Sequence, residues 1–110
     1  MIGIYVIICK INKKMYIGSS MNLDKRIKRH KSDLKGNRHD NKYLQNDWNL
    51  FGEDCFEFKV VKNYDEIDRK SLEKIEYNYI EKNDNLYNVL GKLVDKNYYK
   101  DKWRKAKLKQ

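Results

Sequence analysis

Arg26 and His30 stand four residues apart, so a helix containing both turns them in one direction. A guanidinium can hold two phosphate oxygens in a fork and offset the charge that grows in phosphoryl transfer, and an imidazole can accept or pass a proton near neutral pH. Set among Lys25, Lys28 and Arg29, the same pair also describes a solvated basic face. Glu76 lies between Ile75 and Tyr79 and four residues after Leu72, in or at the edge of an apolar helical stripe. An ionised carboxylate there costs several kcal/mol unless it is paired, hydrogen-bonded or bound to a hard divalent cation. A salt bridge would serve equally well, and Glu73 is a competing carboxylate. Tyr5 and Tyr16 complete the set. A phenol of ordinary pKa, about 10, becomes a base only beside a metal or cation that stabilises phenolate; otherwise a cross-strand tyrosine pair is packing.

The elements that must position these groups follow from periodicity. Residues 2 to 11 alternate and are rich in Ile, Val and Tyr; Asn12-Lys13 is turn-prone and Met15, Tyr16 and Ile17 resume the pattern, which predicts a β-hairpin. Alternation sends Ile4, Val6 and Ile8 to one face and Tyr5, Ile7 and Cys9 to the other. Asn22 is suited to cap a helix that carries Leu23, Ile27 and Leu34 on one face, with Arg26 and His30 beside that stripe, and that ends near Gly36. Tyr43, Leu44, Trp48 and Phe51 predict a second helix stopped by Gly52, and residues 55 to 61 a half-buried third strand. A third helix is expected from near Asp65 to about Lys82, with Leu72, Ile75, Tyr79 and Ile80 inward. This order fits an α+β fold, a small three-stranded antiparallel sheet flanked by helices, plus a basic C-terminal helix over residues 94 to 108. Gly91 is the one candidate boundary, dividing a domain of residues 1–90 from an extension of residues 91–110.

With 110 residues the chain supports one modest core. The net charge of +9 is unevenly placed: residues 22 to 39 carry +5, residues 40 to 90 carry −5 and residues 91 to 110 carry +6. Clustered cations suit a polyanionic partner, although twenty lysines against five arginines would also follow from AT-rich coding. Cys9 and Cys55 match neither a zinc spacing nor a disulfide framework and are expected as free thiols. The longest apolar run, Ile4 to Cys9, is far short of the roughly 20 residues a bilayer-crossing helix needs, and no signal-type stretch opens the chain. A cytoplasmic protein without membrane contact is expected.

Taken together the motifs are more specific than any one of them. Gly3-Ile4-Tyr5, ten intervening residues, Tyr16-Ile17-Gly18, Arg26 eight residues on and His30 beyond it closely resemble the signature of the GIY-YIG nuclease family. Ile75-Glu76-Tyr77-Asn78 resembles that family's metal-binding glutamate segment, and Leu86-Tyr87-Asn88-Val89 its closing Tyr-Asn element, so the resemblance spans about residues 2 to 90.

The resemblance implies a metal-dependent DNA endonuclease of homing-endonuclease character, leaving 5′-phosphate and 3′-hydroxyl ends. It makes Glu76 the ligand of one Mg²⁺ or Mn²⁺, Arg26 the grip on the scissile phosphate, and Tyr5 the general base or the group that orients the nucleophile, with Tyr16 and His30 in the same proton network. Gly18 would let the chain leave the second strand close to the site, and Asn88 would brace it. Lys14 borders the site, and His39 is the candidate for the family's second histidine. Lys25, Lys28, Arg29 and, in the extension, Arg104 would meet DNA. The alternatives are a catalytically idle DNA-binding module of the same fold and a scaffold exposing Trp48, Phe51 or Trp103 to a protein partner.

Overall fold

The structure, a computed structural model, describes residues 1–88. Two strands, β1 (Ile2–Cys9) and β2 (Met15–Ser20), form the expected hairpin, with Tyr5 opposite Gly18 and Ile7 opposite Tyr16. The turn closes on Lys13, whose φ is 64°, and on Asn12, whose side-chain oxygen accepts the Lys14 N–H at 3.0 Å. A third strand, β3 (Phe56–Tyr64), pairs antiparallel with the other side of β1. The described residues thus hold one antiparallel sheet of order β2-β1-β3, with β1 at its centre.

The first half of β3 alternates as expected, but between Val60 and Lys62 the register shifts against Tyr5 and Ile4, leaving Val61 as the extra residue of a bulge. One inserted residue reverses the side-chain parity. Phe56 and Phe58 therefore share the Tyr5, Ile7, Cys9 face, whereas Tyr64 packs with Ile4 and Val6 on the other. Val60 and Val61 are left exposed. Next to the bulge a Cβ on Gly3 would run into the Lys62 carbonyl oxygen, so the first glycine of the N-terminal triplet serves close strand approach.

Helices α1 (Leu23–Lys35) and α2 (Lys42–Phe51) cover the face that carries Tyr5. Asn22 and Asn41 cap them by accepting the N–H groups of Lys25 and Leu44, and α2 ends at Gly52, whose positive φ of 89° suits a residue without a Cβ. Trp48 turns inward against Phe56, and Phe51 packs at the edge of the same core, which removes the described part of the exposed aromatic patch a scaffold would use. After a short 3₁₀ turn at Glu53–Cys55 and β3, helix α3 (Arg69–Glu81) covers the opposite face with Leu72, Ile75, Tyr79 and Ile80. It starts later than the sequence suggests, because Asp68 rather than Asp65 accepts the Ser71 N–H as its cap.

The outer edge of β2 is closed by residues 85 to 88. Met15 donates its N–H to the Asn85 carbonyl at 3.1 Å and accepts the Tyr87 N–H at 2.7 Å. The Asn88 amide then takes over from the backbone, accepting the Ile17 N–H at 2.7 Å and donating to the Ile17 carbonyl at 2.8 Å. Cys9 and Cys55 are free thiols. Among the described residues no helix is long and apolar enough to cross a membrane. The expected basic C-terminal helix, Arg104 and Trp103 lie outside the described residues.

Candidate active site

Tyr5 projects from the centre of β1 towards α1 and is 1% exposed. Gly18 lies opposite it, and a Cβ there would overlap the phenol ring and its oxygen. The second glycine therefore provides the slot in which the phenol lies. The expected exit of the chain at Gly18 is not observed, since β2 continues through Ser20. Gly18→Ala should force the ring to move, costing about 1–3 kcal/mol of stability. Denaturant unfolding checks this, and a variant with wild-type stability would dismiss the steric argument.

Behind Tyr5 stand the two histidines. Position 30 falls inside the α1 stripe rather than beside it, because Leu23, Ile27, His30 and Leu34 follow the 4-3-4 spacing of a single buried seam. His30 is accordingly 6% exposed, whereas Arg26 one turn earlier is exposed. The Tyr5 hydroxyl meets His30 Nε2 at 2.5 Å, and His30 Nδ1 meets His39 Nε2 at 2.7 Å. The Tyr16 ring stands edge-on to both imidazoles, 5.1 Å and 5.9 Å between centroids. Burial, His39 and Arg26 push the His30 pKa down to about 3, so this ring is neutral at ordinary pH. Burial raises the Tyr5 phenol well above its usual range, and the Arg26 guanidinium opposes that rise.

Glu76 comes from α3, on the opposite face of the sheet, and reaches the same site around the edge strand β2. Ser19, whose side chain is on the α3 side, donates its hydroxyl to Glu76 Oε1 at 2.7 Å. A cleft of about 400 Å³ straddles this end of β2 and is lined by Tyr5, Tyr16, Gly18, Ser19, Arg26 and Glu76, with Lys25, Arg29, Arg69 and Glu73 at its walls. Among the described residues neither Arg26 nor Glu76 forms a salt bridge, with each other or with anything else. Among the described residues, then, no ion pair offsets the burial of this glutamate. Burial raises the Glu76 carboxyl from 4.5 to about 7, against the bonds from Ser19.

A hard cation would suit this carboxylate. Among the described residues no cluster of three His, Cys, Asp or Glu side chains is disposed to hold a metal ion. Magnesium does not need one, since it commonly binds through one or two carboxylates, retained waters and substrate phosphate. Glu76, with Glu73 on the same wall, meets that requirement, and a buried carboxylate that makes no salt bridge among the described residues is the observation that fits.

Of the other expected residues, Lys25 and Arg29 line the cleft. Lys28 instead borders a shallow groove with Lys31, Lys35 and Arg38, and Lys14 lies at the hairpin turn with its ammonium 5.9 Å above the Tyr87 ring. Asn88 holds β2 from its outer edge, as described above. The sequence reading missed Ser19, Arg69, Asn41 and Gln45. Arg69 could have been found, because Arg69, Leu72, Glu73 and Glu76 repeat at helical spacing on one face.

Proteins of known structure share this fold. The chain is similar over 83% of its length, and 100% of the other's, to the structure of the catalytic domain of homing endonuclease I-TevI, with 29% identity and a TM-score of 0.75. A glutamate-to-alanine mutant of the catalytic domain of intron endonuclease I-TevI is similar at 30% identity and a TM-score of 0.67, over 74% of this chain and 81% of that one. No curated protein matches. Residues 1–88 match the GIY-YIG catalytic domain, and the chain belongs to that family.

Proposed function

We propose that this protein is a metal-dependent DNA endonuclease that hydrolyses phosphodiester bonds to leave 5′-phosphate and 3′-hydroxyl ends. The observation that carries the reading is a single cleft in which a buried carboxylate and an exposed guanidinium, neither engaged in a salt bridge among the described residues, flank a buried phenol. Family membership and the likeness to a homing endonuclease's catalytic domain support it. The presence of Tyr5, Arg26 and Glu76 together counts against an idle DNA-binding module.

In this reading Arg26 holds the scissile phosphate and stabilises the charge that develops on it, while Lys25 and Arg29 grip neighbouring phosphates. Tyr5 takes the proton of the attacking water or orients that water, and Gly18 keeps the phenol in place. Glu76, oriented by Ser19, would hold Mg²⁺ or Mn²⁺ with waters and substrate phosphate completing the shell. When bound, that ion supplies positive charge at the leaving 3′ oxygen. Asn88 fixes the strand that carries Tyr16 and Gly18. We assign residues 1–90 to the nuclease core and residues 91–110 to a DNA-contacting extension through Arg104 and its aromatic neighbours, and we place the protein in the cytoplasm with its substrate.

Supercoiled plasmid tests this directly. Nicking is expected with Mg²⁺ or Mn²⁺ and none with excess chelator, and the nicks should be sealed by DNA ligase, which requires a 5′-phosphate beside a 3′-hydroxyl. Cleavage that persists in chelator, or ends that ligase cannot join, would overturn the reading.

A further inference from the structure

The chain of contacts behind Tyr5 has a direction. Its far end is the main-chain N–H of Asn41, which donates to His39 Nδ1 at 3.0 Å. A peptide N–H can only donate, so His39 Nδ1 is the acceptor, and the one proton of the neutral ring must sit on Nε2. That Nε2–H faces His30 Nδ1 at 2.7 Å, which makes His30 Nδ1 an acceptor in turn and puts the His30 proton on Nε2. His30 Nε2 faces the Tyr5 oxygen. Two histidines in the opposite tautomer would set the Asn41 N–H donor against an Nδ1–H donor at the far end of this series, and would leave His30 Nε2 to accept the Tyr5 proton.

We propose that Asn41, acting through His39 and His30, fixes both imidazoles as Nε2–H tautomers, so that Tyr5 Oη accepts a hydrogen bond from His30 and directs its own proton to the cleft. His39 and His30 are then positioning residues for the phenol. They are also not a proton relay, because a series that ends on a peptide N–H has nowhere to draw a proton from or send one to. A proton taken up by Tyr5 must leave through the cleft. A hydrogen bond donated to Oη stabilises phenolate more than phenol, which eases the use of this buried tyrosine as a base.

The surroundings are built to hold the series. Gln45 Oε1 accepts the His39 N–H at 3.0 Å, and its amide donates to the Leu34 carbonyl, tying the loop between α1 and α2 to both helices. The Asn41 side chain caps α2 and donates to the Tyr87 carbonyl at 2.7 Å. Burial keeps both rings on the neutral side: the neighbouring cations Arg26 and Arg29 reinforce this at His30, and Asp33 and Asp40 only partly oppose it at His39.

The inference rests on Tyr5 serving the cleavage reaction, but its first test does not need activity. Long-range ¹H–¹⁵N correlation spectra of the full chain, without DNA or metal at about neutral pH, should show a protonated Nε2 and an unprotonated Nδ1 in both rings. A proton on Nδ1 of either ring overturns the proposal, and the expected pattern in a chain that fails to cut DNA supports it while removing the nuclease reading. In the second test His39→Glu replaces the ring donor with an acceptor. His30 should gain a proton on Nδ1, and kcat for nicking should fall roughly 10²-fold with little change in KM. His39→Gln, whose amide can still donate, should keep the His30 tautomer and most of the rate. Equal losses in both variants with no change at His30 would reduce His39 to a structural role and overturn the proposal.

Discussion

Replacing Glu76 by glutamine is expected to lower cleavage by roughly 10³-fold or more and, in the same protein, to make the fold more stable above about pH 7. The second half follows from the site without its cation. In the unfolded chain the carboxyl ionises at its ordinary 4.5, in the folded chain at about 7. Between those values the folded state holds a proton that the unfolded state has lost, so stability falls as pH rises through this window. Below 4.5 both states are protonated and the glutamate costs nothing. Above about 7 the full cost is present, a few kcal/mol at about 1.4 kcal/mol per unit. Glutamine still accepts the Ser19 hydroxyl and cannot ionise. Urea unfolding in chelator should therefore show the variant more stable than the wild type at about pH 8 and nearly equal at about pH 4. Adding Mg²⁺ should then stabilise the wild type and not the variant, by mass action on the folded state alone. A variant less stable than the wild type at the higher pH would mean that a cation of the protein already satisfies the carboxylate.

The cost of burying Glu76 could be read from its place in an apolar stripe, and other parts of the fold were legible in the same way up to a limit. Alternation along β1 separates Tyr5, Ile7 and Cys9 from Ile4, Val6 and Ile8, and the two core clusters divide along that line. The caps at Asn22 and Gly52 could be read locally because a cap is a local device. The bulge at Val61 could not be read, since it is a property of the pairing between β3 and β1 and neither strand records it alone. Helix α3 is expected from near Asp65 but is capped at Asp68, which has a serine three residues on that supplies both N–H and hydroxyl.

The same boundary runs through the site. Each triplet tyrosine and Arg26, His30 and Glu76 were chosen from motif and spacing, but the sequence does not say that α1 and α3 lie on opposite faces. The cleft exists because β2 is an edge strand, so that Gly18 from one side and Ser19 from the other both open onto it. His30 was misplaced relative to the apolar stripe through its polarity, although its spacing from Leu23, Ile27 and Leu34 puts it inside. Asn41 and Gln45 carried no signal, since their hydrogen bonds to His39 depend on how the loop folds back between two helices.

Arg26 is the second residue whose loss should be severe, and its two roles can be separated by charge and shape. Arg26→Ala removes both the proposed phosphate grip and the cation that lowers the Tyr5 and Glu76 pKa values. Single-turnover nicking should fall about 10³-fold. The acid limb of its pH profile should also move upward, because without the guanidinium a higher pH is needed to ionise the same groups. Arg26→Lys keeps the positive charge and loses the planar fork, so its acid limb should stay near the wild-type position while its rate falls roughly 10²-fold. Arg26 is exposed at the mouth of the cleft and makes no salt bridge among the described residues, so neither change should cost more than about 0.5 kcal/mol of stability. If the lysine variant shifted the limb as far as alanine does, position 26 would act by shape alone. If both variants cut at the wild-type rate, the phosphate would have to be held elsewhere along the cleft, where Lys25, Arg29 and Arg69 are the other cations among the described residues.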